Sequence, residues 1–207
     1  MYNSQARQDE FILLILKNKR NGYFLEIGSN HPKNINNTYS LEKNFGWNGL
    51  MVEYDNYWES SYKKERSSNY IIGDATQIDY EKIFNELNFP KQMDYLQIDL
   101  EVENRSTLTT LELLNNTIFK NYIFSVVTFE HDIYRGNYFD TREKSREIFE
   151  ENGYVLLFKD VKHKDNKFED WYIHPSSVNI EELTDYISDN SYEYSEIINI
   201  LKRNKII

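Results

Sequence analysis

Five acidic residues, Glu26, Glu53, Asp74, Asp99 and Glu130, each follow a short apolar run, at intervals of 27, 21, 25 and 31 residues. Carboxylates so placed can accept ribose hydroxyls, an adenine amino group or the proton of a reacting hydroxyl. Other groups with chemical capacity stand beside them. Gly28, Ser29 and Asn30 follow Glu26, Tyr54 follows Glu53, Ala75 follows Asp74, Glu101 lies two residues beyond Asp99, and His131 comes directly after Glu130. The chain has no Cys, which excludes thiolate nucleophiles, disulfides and zinc-thiolate centres.

The apolar runs are Tyr23 to Ile27, Gly49 to Val52, Tyr70 to Ile72, Tyr95 to Ile98 and Phe124 to Phe129. Their lengths suit strands buried on both faces, and each interval holds one strand plus a crossover helix. That rhythm predicts an α/β fold with a parallel doubly wound sheet, whose ligands sit outside the carboxyl ends of the strands. Ahead of it, Ser4 to Asn18 reads as an amphipathic helix, a lid or flank rather than core. Behind it, a helix is expected from Thr141 to Glu151 with Asn152 and Gly153 as its C-cap. A hairpin of Tyr154 to Phe158 and Trp171 to Ile173 should then turn at Lys162 to Lys167, with one or two helices after Ile180.

Seven Gly and three Pro leave no linker-like stretch, so the 207 residues read as one domain. Its expected parts are an N-terminal helix or lid over residues 1–20, a catalytic core over 21–178 and C-terminal helices over 179–207. A hydrophobic content of 40% supplies a packed interior. The net charge of -10 weighs against nucleic acid as a partner. No apolar run approaches the roughly 20 residues of a membrane span, nor is there a signal-peptide core, so a soluble cytoplasmic protein is expected.

Gly28 should let the backbone come close to a ligand at a turn where a helix begins. Ser29 and Asn30 stand where a pyrophosphate fingerprint would need glycines. Glu53 is placed to hold ribose hydroxyls and Asp74 to accept from an adenine amino group, so the three strand ends together ask for an adenosine without a pyrophosphate.

The order Gly22-Tyr23-Phe24-Leu25-Glu26-Ile27-Gly28, His31-Pro32, Asn37-Thr38, Leu41-Glu42, Gly46-Trp47 and Gly49, leading to Glu53, resembles the FkbM-type S-adenosylmethionine-dependent methyltransferases. Gln97-Ile98-Asp99-Leu100-Glu101, Glu130-His131, Gly153-Tyr154 and Asp170-Trp171-Tyr172 extend the likeness, as do Ser4-Gln5 and Gln8-Asp9. The resemblance implies a Rossmann-like class I methyltransferase fold, a seven-stranded, mostly parallel sheet with a C-terminal antiparallel hairpin strand and helices on both faces. It implies O-methylation, often of sugar hydroxyls. By position it puts Glu26, Gly28, Ser29 and Asn30 at the methionine end of the cofactor, Glu53 and Tyr54 at the ribose, and Asp74 with Ala75 at the adenine, with Asp99 as a further expected cofactor contact. The chain departs from the family at Gln97, where Lys is frequent, and at Val102, Glu103 and Asn104.

On the acceptor side, Asp99, Glu130 and His131 at adjacent strand ends resemble the metal site of catechol-type O-methyltransferases, with Asp132 as a further ligand. Such a donor set suits Mg2+ or Mn2+. Asp99, Glu101 and His131 are also candidate general bases, since a second carboxylate beside Asp99 raises the pKa of one of the two. Substrate contacts are expected from His31, Asn37, Thr38 and Glu130, and from Asp170 and Trp171 closing the pocket. Arg135 and Arg142 follow the fifth run, within reach of an acidic group or simply solvated. The expected activity is methyl transfer from S-adenosylmethionine to a sugar or glycan hydroxyl. The alternatives are a non-sugar small molecule, a lipid, a protein side chain, or a non-catalytic cofactor-binding domain. The chain permits either a whole protein or one domain of a larger glycan-modifying protein.

Overall fold

The computed structural model describes residues 2–187 and 189–203. The five runs form β1 (Tyr23–Ile27), β2 (Asn48–Glu53), β3 (Asn69–Ile72), β4 (Gln92–Ile98) and β5 (Ile123–Glu130). All pair in parallel, and with β6 (Val155–His163) and β7 (Asn166–Ile173) they make a seven-stranded sheet of order β3-β2-β1-β4-β5-β7-β6. β7 is antiparallel to both its neighbours, so the hairpin contributes the one reversed strand. Strand order reverses between β1 and β4, which opens a crevice at their carboxyl ends.

Successive side chains of each strand enter two different cores. One face holds Phe24, Met51, Tyr95 and Val126. It is covered by α1 (Gln8–Ile15), α2 (Tyr39–Phe45), α3 (Glu59–Glu65) and, from the far end of the chain, α7 (Tyr194–Arg203). The other face holds Leu25, Leu50, Leu96 and Val127, under α4 (Tyr80–Glu86), α5 (Ser106–Asn116) and α6 (Phe139–Glu151). This is the helix-covered, mostly parallel sheet expected from the sequence.

Three expectations change in detail. α1 is shorter than Ser4–Asn18, and it is core rather than a flank or lid, because all eight of its residues are buried. Phe11 stacks on Trp171 with ring centroids 4.3 Å apart, and the polar positions are each matched: Gln8 donates to Glu169, Asp9 accepts from Ser40, and Glu10 pairs with Arg7 and Lys202. The hairpin turn is tighter than Lys162–Lys167. Lys164 and Asp165 alone make it, at φ of 54° and 65°, the geometry of a two-residue turn that normally selects Asn-Gly. After Ile180 come two single 3-10 turns (Ile180–Glu182 and Thr184–Tyr186) and then α7; the parts of the expected segments at residues 1, 188 and 204–207 lie outside the described residues.

Among the described residues no helix is long and apolar enough to cross a membrane. The burial of α1 predicts that Phe11→Ala costs about 3–5 kcal/mol in a urea titration. A loss under about 1 kcal/mol, the usual range of surface substitutions, would show α1 to be a loosely held flank after all.

Candidate functional site

A cavity of about 890 Å³ opens at the carboxyl ends of β1 to β5, and all five strand-end acids line it. Its floor is set by a backbone contact. Gly28 has φ +80°, and a Cβ there would lie 1.6 Å from the Asp99 carbonyl oxygen. The glycine therefore serves the approach of two strand ends to each other, which Asp99 N–H to Ile27 O (3.0 Å) and Gly28 N–H to Val52 O (2.9 Å) lock. The expected close approach to a ligand is secondary to this, and the expected helix N-terminus is absent: residues 28–38 run as a loop, and α2 begins only at Tyr39.

That loop is organised by Glu26. Its buried carboxylate accepts from Asn37 N–H (3.0 Å), Thr38 Oγ1 (2.6 Å) and Asn36 Nδ2 (3.2 Å). Arg66, wholly buried, lies 4.0 Å from Glu26, donates to Asn36 Oδ1 and Thr38 Oγ1, and pairs with Glu42 at 3.1 Å. Burial raises the Glu26 pKa despite Arg66 and these donors. At Glu42 burial also pushes upward, yet Arg66 with Lys43, Ser68 and Ser67 outweighs it and holds the pKa at about 2. Glu26 is thus chiefly the hub of the loop. Thr38 is fully buried and belongs to that hub, which corrects its expected substrate contact. Asn37 does line the cavity, its amide bonded to Gln97 Oε1 at 2.5 Å.

On the β2 and β3 side, Glu53 is oriented by two backbone donors, Asn30 N–H at 2.6 Å and Asp55 N–H at 2.8 Å. Asp74 caps a short turn by accepting from Thr76 N–H, and Ala75 sits buried beside it. Tyr54 is exposed at the mouth, His31 packs its ring against Trp58, and Ser29 bonds the Tyr62 hydroxyl at 2.6 Å. All of these but Trp58, Tyr62 and Thr76 line the cavity.

On the β4 and β5 side the carboxyls of Asp99 and Glu130 hydrogen-bond to each other. Burial raises both; Asp99 and Asp132 then push Glu130 well up, while the bond to Glu130 works against the rise at Asp99. Glu101 lines the cavity and adds a smaller push on Asp99. Glu169, which sequence inspection missed, stands directly opposite Glu130 across the β5–β7 ladder. Burial drives its pKa to about 8 against the hydrogen bond from Gln8. The available signal was the pair Glu169-Asp170 inside an otherwise apolar strand.

His131 does not join this group. It is fully buried, with Nε2 3.5 Å from Asp170 and 3.6 Å from Asp160, and it does not line the cavity. The expected metal triad of Asp99, Glu130 and His131 is not assembled, because the chain turns inward after β5 and His131 N–H bonds Phe168 O. His131, Asp160 and Asp170 do come within 4.8 Å of one another. Arg146 already pairs with both of those carboxylates and Arg142 with Asp160, so the cluster is charge-balanced without an ion and does not suit a divalent cation. Asp170 and Trp171 are likewise interior rather than at the pocket: Asp170 bonds Arg146 at 2.7 Å, and Trp171 stacks in the core. Arg135 lines the cavity; Arg142 does not.

No protein-family profile matches the chain, and no curated protein matches it in sequence. Solved structures match in fold. A protein from Klebsiella pneumoniae provisionally described as an O-methyltransferase aligns with a TM-score of 0.58 at 12% identity, over 83% of this chain and 81% of that one. A methyltransferase from Pyrococcus furiosus aligns at 0.53 and 14%, covering 82% of each chain. Aeropyrum pernix fibrillarin, in complex with natively bound S-adenosyl-L-methionine, aligns at 0.50 and 14%, covering 83% of this chain and 75% of that one. The fold is therefore the Rossmann-like one of these methyltransferases.

The buried acids predict a pH dependence. Glu169 has an ordinary value of 4.5 and about 8 when folded, so between these the folded chain keeps a proton that the unfolded chain has lost. Its contribution to stability is complete below the lower value and declines as pH rises through the upper one, by about 1.4 kcal/mol per pH unit for one proton. Glu169→Gln is expected to flatten the measured stability curve by about that slope. An unchanged slope would contradict the assignment.

Proposed function

We propose that this protein transfers a methyl group from S-adenosylmethionine to a hydroxyl of a sugar or glycan. The observation that carries this is the division of one cavity between two sets of acids. Glu53 and Asp74, at the ends of β2 and β3, suit an adenosine, while the proton-sharing pair Asp99 and Glu130 faces the crevice beyond β4 and β5. The cavity volume lies within the roughly 300–1,000 Å³ of small-molecule sites, and Ser29 and Asn30 in place of glycines argue for a cofactor without a pyrophosphate. The likeness in fold to methyltransferases, one of them carrying S-adenosylmethionine, supports the same cofactor.

When bound, S-adenosylmethionine supplies an electrophilic methyl whose C–S bond breaks as the O–C bond forms, leaving S-adenosylhomocysteine. Glu53, held by its two backbone donors, binds the ribose hydroxyls without having to be ordered first. Asp74 accepts from the adenine amino group. Asp99 takes the acceptor's proton, and its raised pKa makes it a better base than an ordinary aspartate. The residues present do not form the metal site first expected, and no step is assigned to a metal. A sugar acceptor fits the carboxylate and amide lining, in which Asn37, Gln97 and Asn104 join the acids.

Transfer of labelled methyl from S-adenosylmethionine to a panel of unmethylated glycosides tests this. Asp99→Asn should lower kcat by about 100-fold or more, the usual worth of a general base, and leave the KM for S-adenosylmethionine nearly unchanged. Wild-type turnover in the variant, or no transfer by the wild-type protein to any member of the panel, would overturn the proposal.

A further inference from the structure

The buried acids of this protein are matched, with one exception in space. Glu10 pairs with Arg7 and Lys202, Glu42 with Arg66, Asp94 with Lys19, and Asp160 and Asp170 with Arg146; Asp9 is held by the hydroxyls of Ser4 and Ser40. The acceptor end of the cavity differs. Among the described residues, half-buried Asp99 and Glu130 and exposed Glu101 line it without forming an ion pair, and the one cation lining the cavity is Arg135. Arg135 is shared between Asp132 at 2.9 Å and Glu103 at 3.3 Å, and its side chain is 41% exposed.

Asp132 supplies an independent sign that something belongs there. It lines the cavity and is 3% exposed, and while Oδ2 takes the Arg135 bond, Oδ1 has no hydrogen-bond partner. Glu130 interacts with both Asp99 and Asp132. A buried polar oxygen left without a partner is costly in a protein interior. A donor bearing positive charge would relieve it and the uncompensated acids around it. A neutral polyol would supply the hydrogen bond without the charge.

We propose that the acceptor is an amino sugar, and that Asp132, with Glu101 beside it, holds the ammonium group while Asp99 faces the hydroxyl to be methylated. This rests on the methyltransferase function proposed above and names its substrate class. The ammonium takes the open oxygen of Asp132 and adds the positive charge that Arg135, divided between two carboxylates, does not provide. Backbone geometry favours the test substitution: Asp132 has φ +48°, a conformation that Asn adopts readily.

The experiment is calorimetry on the whole chain, first with S-adenosylhomocysteine alone and then, with that ligand bound, with paired acceptors. Methyl glucosaminide and methyl galactosaminide are each compared with their N-acetyl counterparts. S-adenosylhomocysteine is neutral at sulfur, so no sulfonium fills the acidic corner. Free amines are expected to bind about 10- to 100-fold more tightly than their N-acetyl partners, as charge-assisted hydrogen bonds allow. Asp132→Asn should remove most of that preference while leaving the affinity for S-adenosylhomocysteine unchanged. No binding of S-adenosylhomocysteine takes down the parent proposal and this one with it. Its binding without an amine preference in either pair, including the case in which no sugar binds, takes down this one alone. So does binding of magnesium that is lost in Asp132→Asn and that displaces the amine.

Discussion

The site depends on one close contact, the bare Cα of Gly28 against the backbone of Asp99. A parallel sheet reverses its winding where β1 meets β4, and the two strand ends must part to form a crevice without losing their ladder. Here they stay joined through the Asp99 N–H to Ile27 O bond, with the Gly28 Cα packed where no side chain could be. Asp99 is thereby carried on a strand end that cannot shift independently of the loop after β1. The acid expected to act on the acceptor and the loop expected to close over the cofactor share one rigid joint.

Around that joint the polar interior is arranged in two opposite ways. On the loop side, buried charge is cancelled: Arg66 lies among Glu26, Glu42 and the Asn36 to Thr38 segment, and the loop is as fixed as a helix would be. A second cancelled network, His131 with Asp160, Asp170, Arg142 and Arg146, ties β5 to the hairpin. Between them Asp99 and Glu130, at the ends of β4 and β5, form no ion pair among the described residues, and burial raises the pKa of each. Perturbed carboxyls gathered in a cavity mark a functional site more reliably than paired ones do.

Much of this was legible in the residues. Apolar runs ending in an acid located all five parallel strands and the rim on which the cavity opens, because burial on both faces leaves a strand few options but apolar side chains. What failed was the direction of side chains beyond the strand ends. Glu130 and His131 are neighbours in sequence, yet once extended pairing stops nothing in composition says that one faces the cavity and the other the interior. Asp170 and Trp171 failed likewise, since an acid next to an aromatic reads as a binding pair whether or not a buried arginine awaits it. α1 looked like a flank because its covering, α7, comes from the opposite end of the chain. Glu169 was missed because its meaning lies wholly in being opposite Glu130.

The central claim is that the rim of acids holds an adenosine-bearing sulfonium cofactor. Calorimetric titration with S-adenosylhomocysteine, beside NAD as a pyrophosphate-bearing competitor and with Glu53→Ala as the variant, addresses it most directly. The account predicts micromolar binding of S-adenosylhomocysteine, no comparable binding of NAD, and loss of affinity of tenfold or more, about 1.4 kcal/mol, in the variant. Preference for NAD, or binding of S-adenosylhomocysteine that Glu53→Ala leaves untouched, would contradict it.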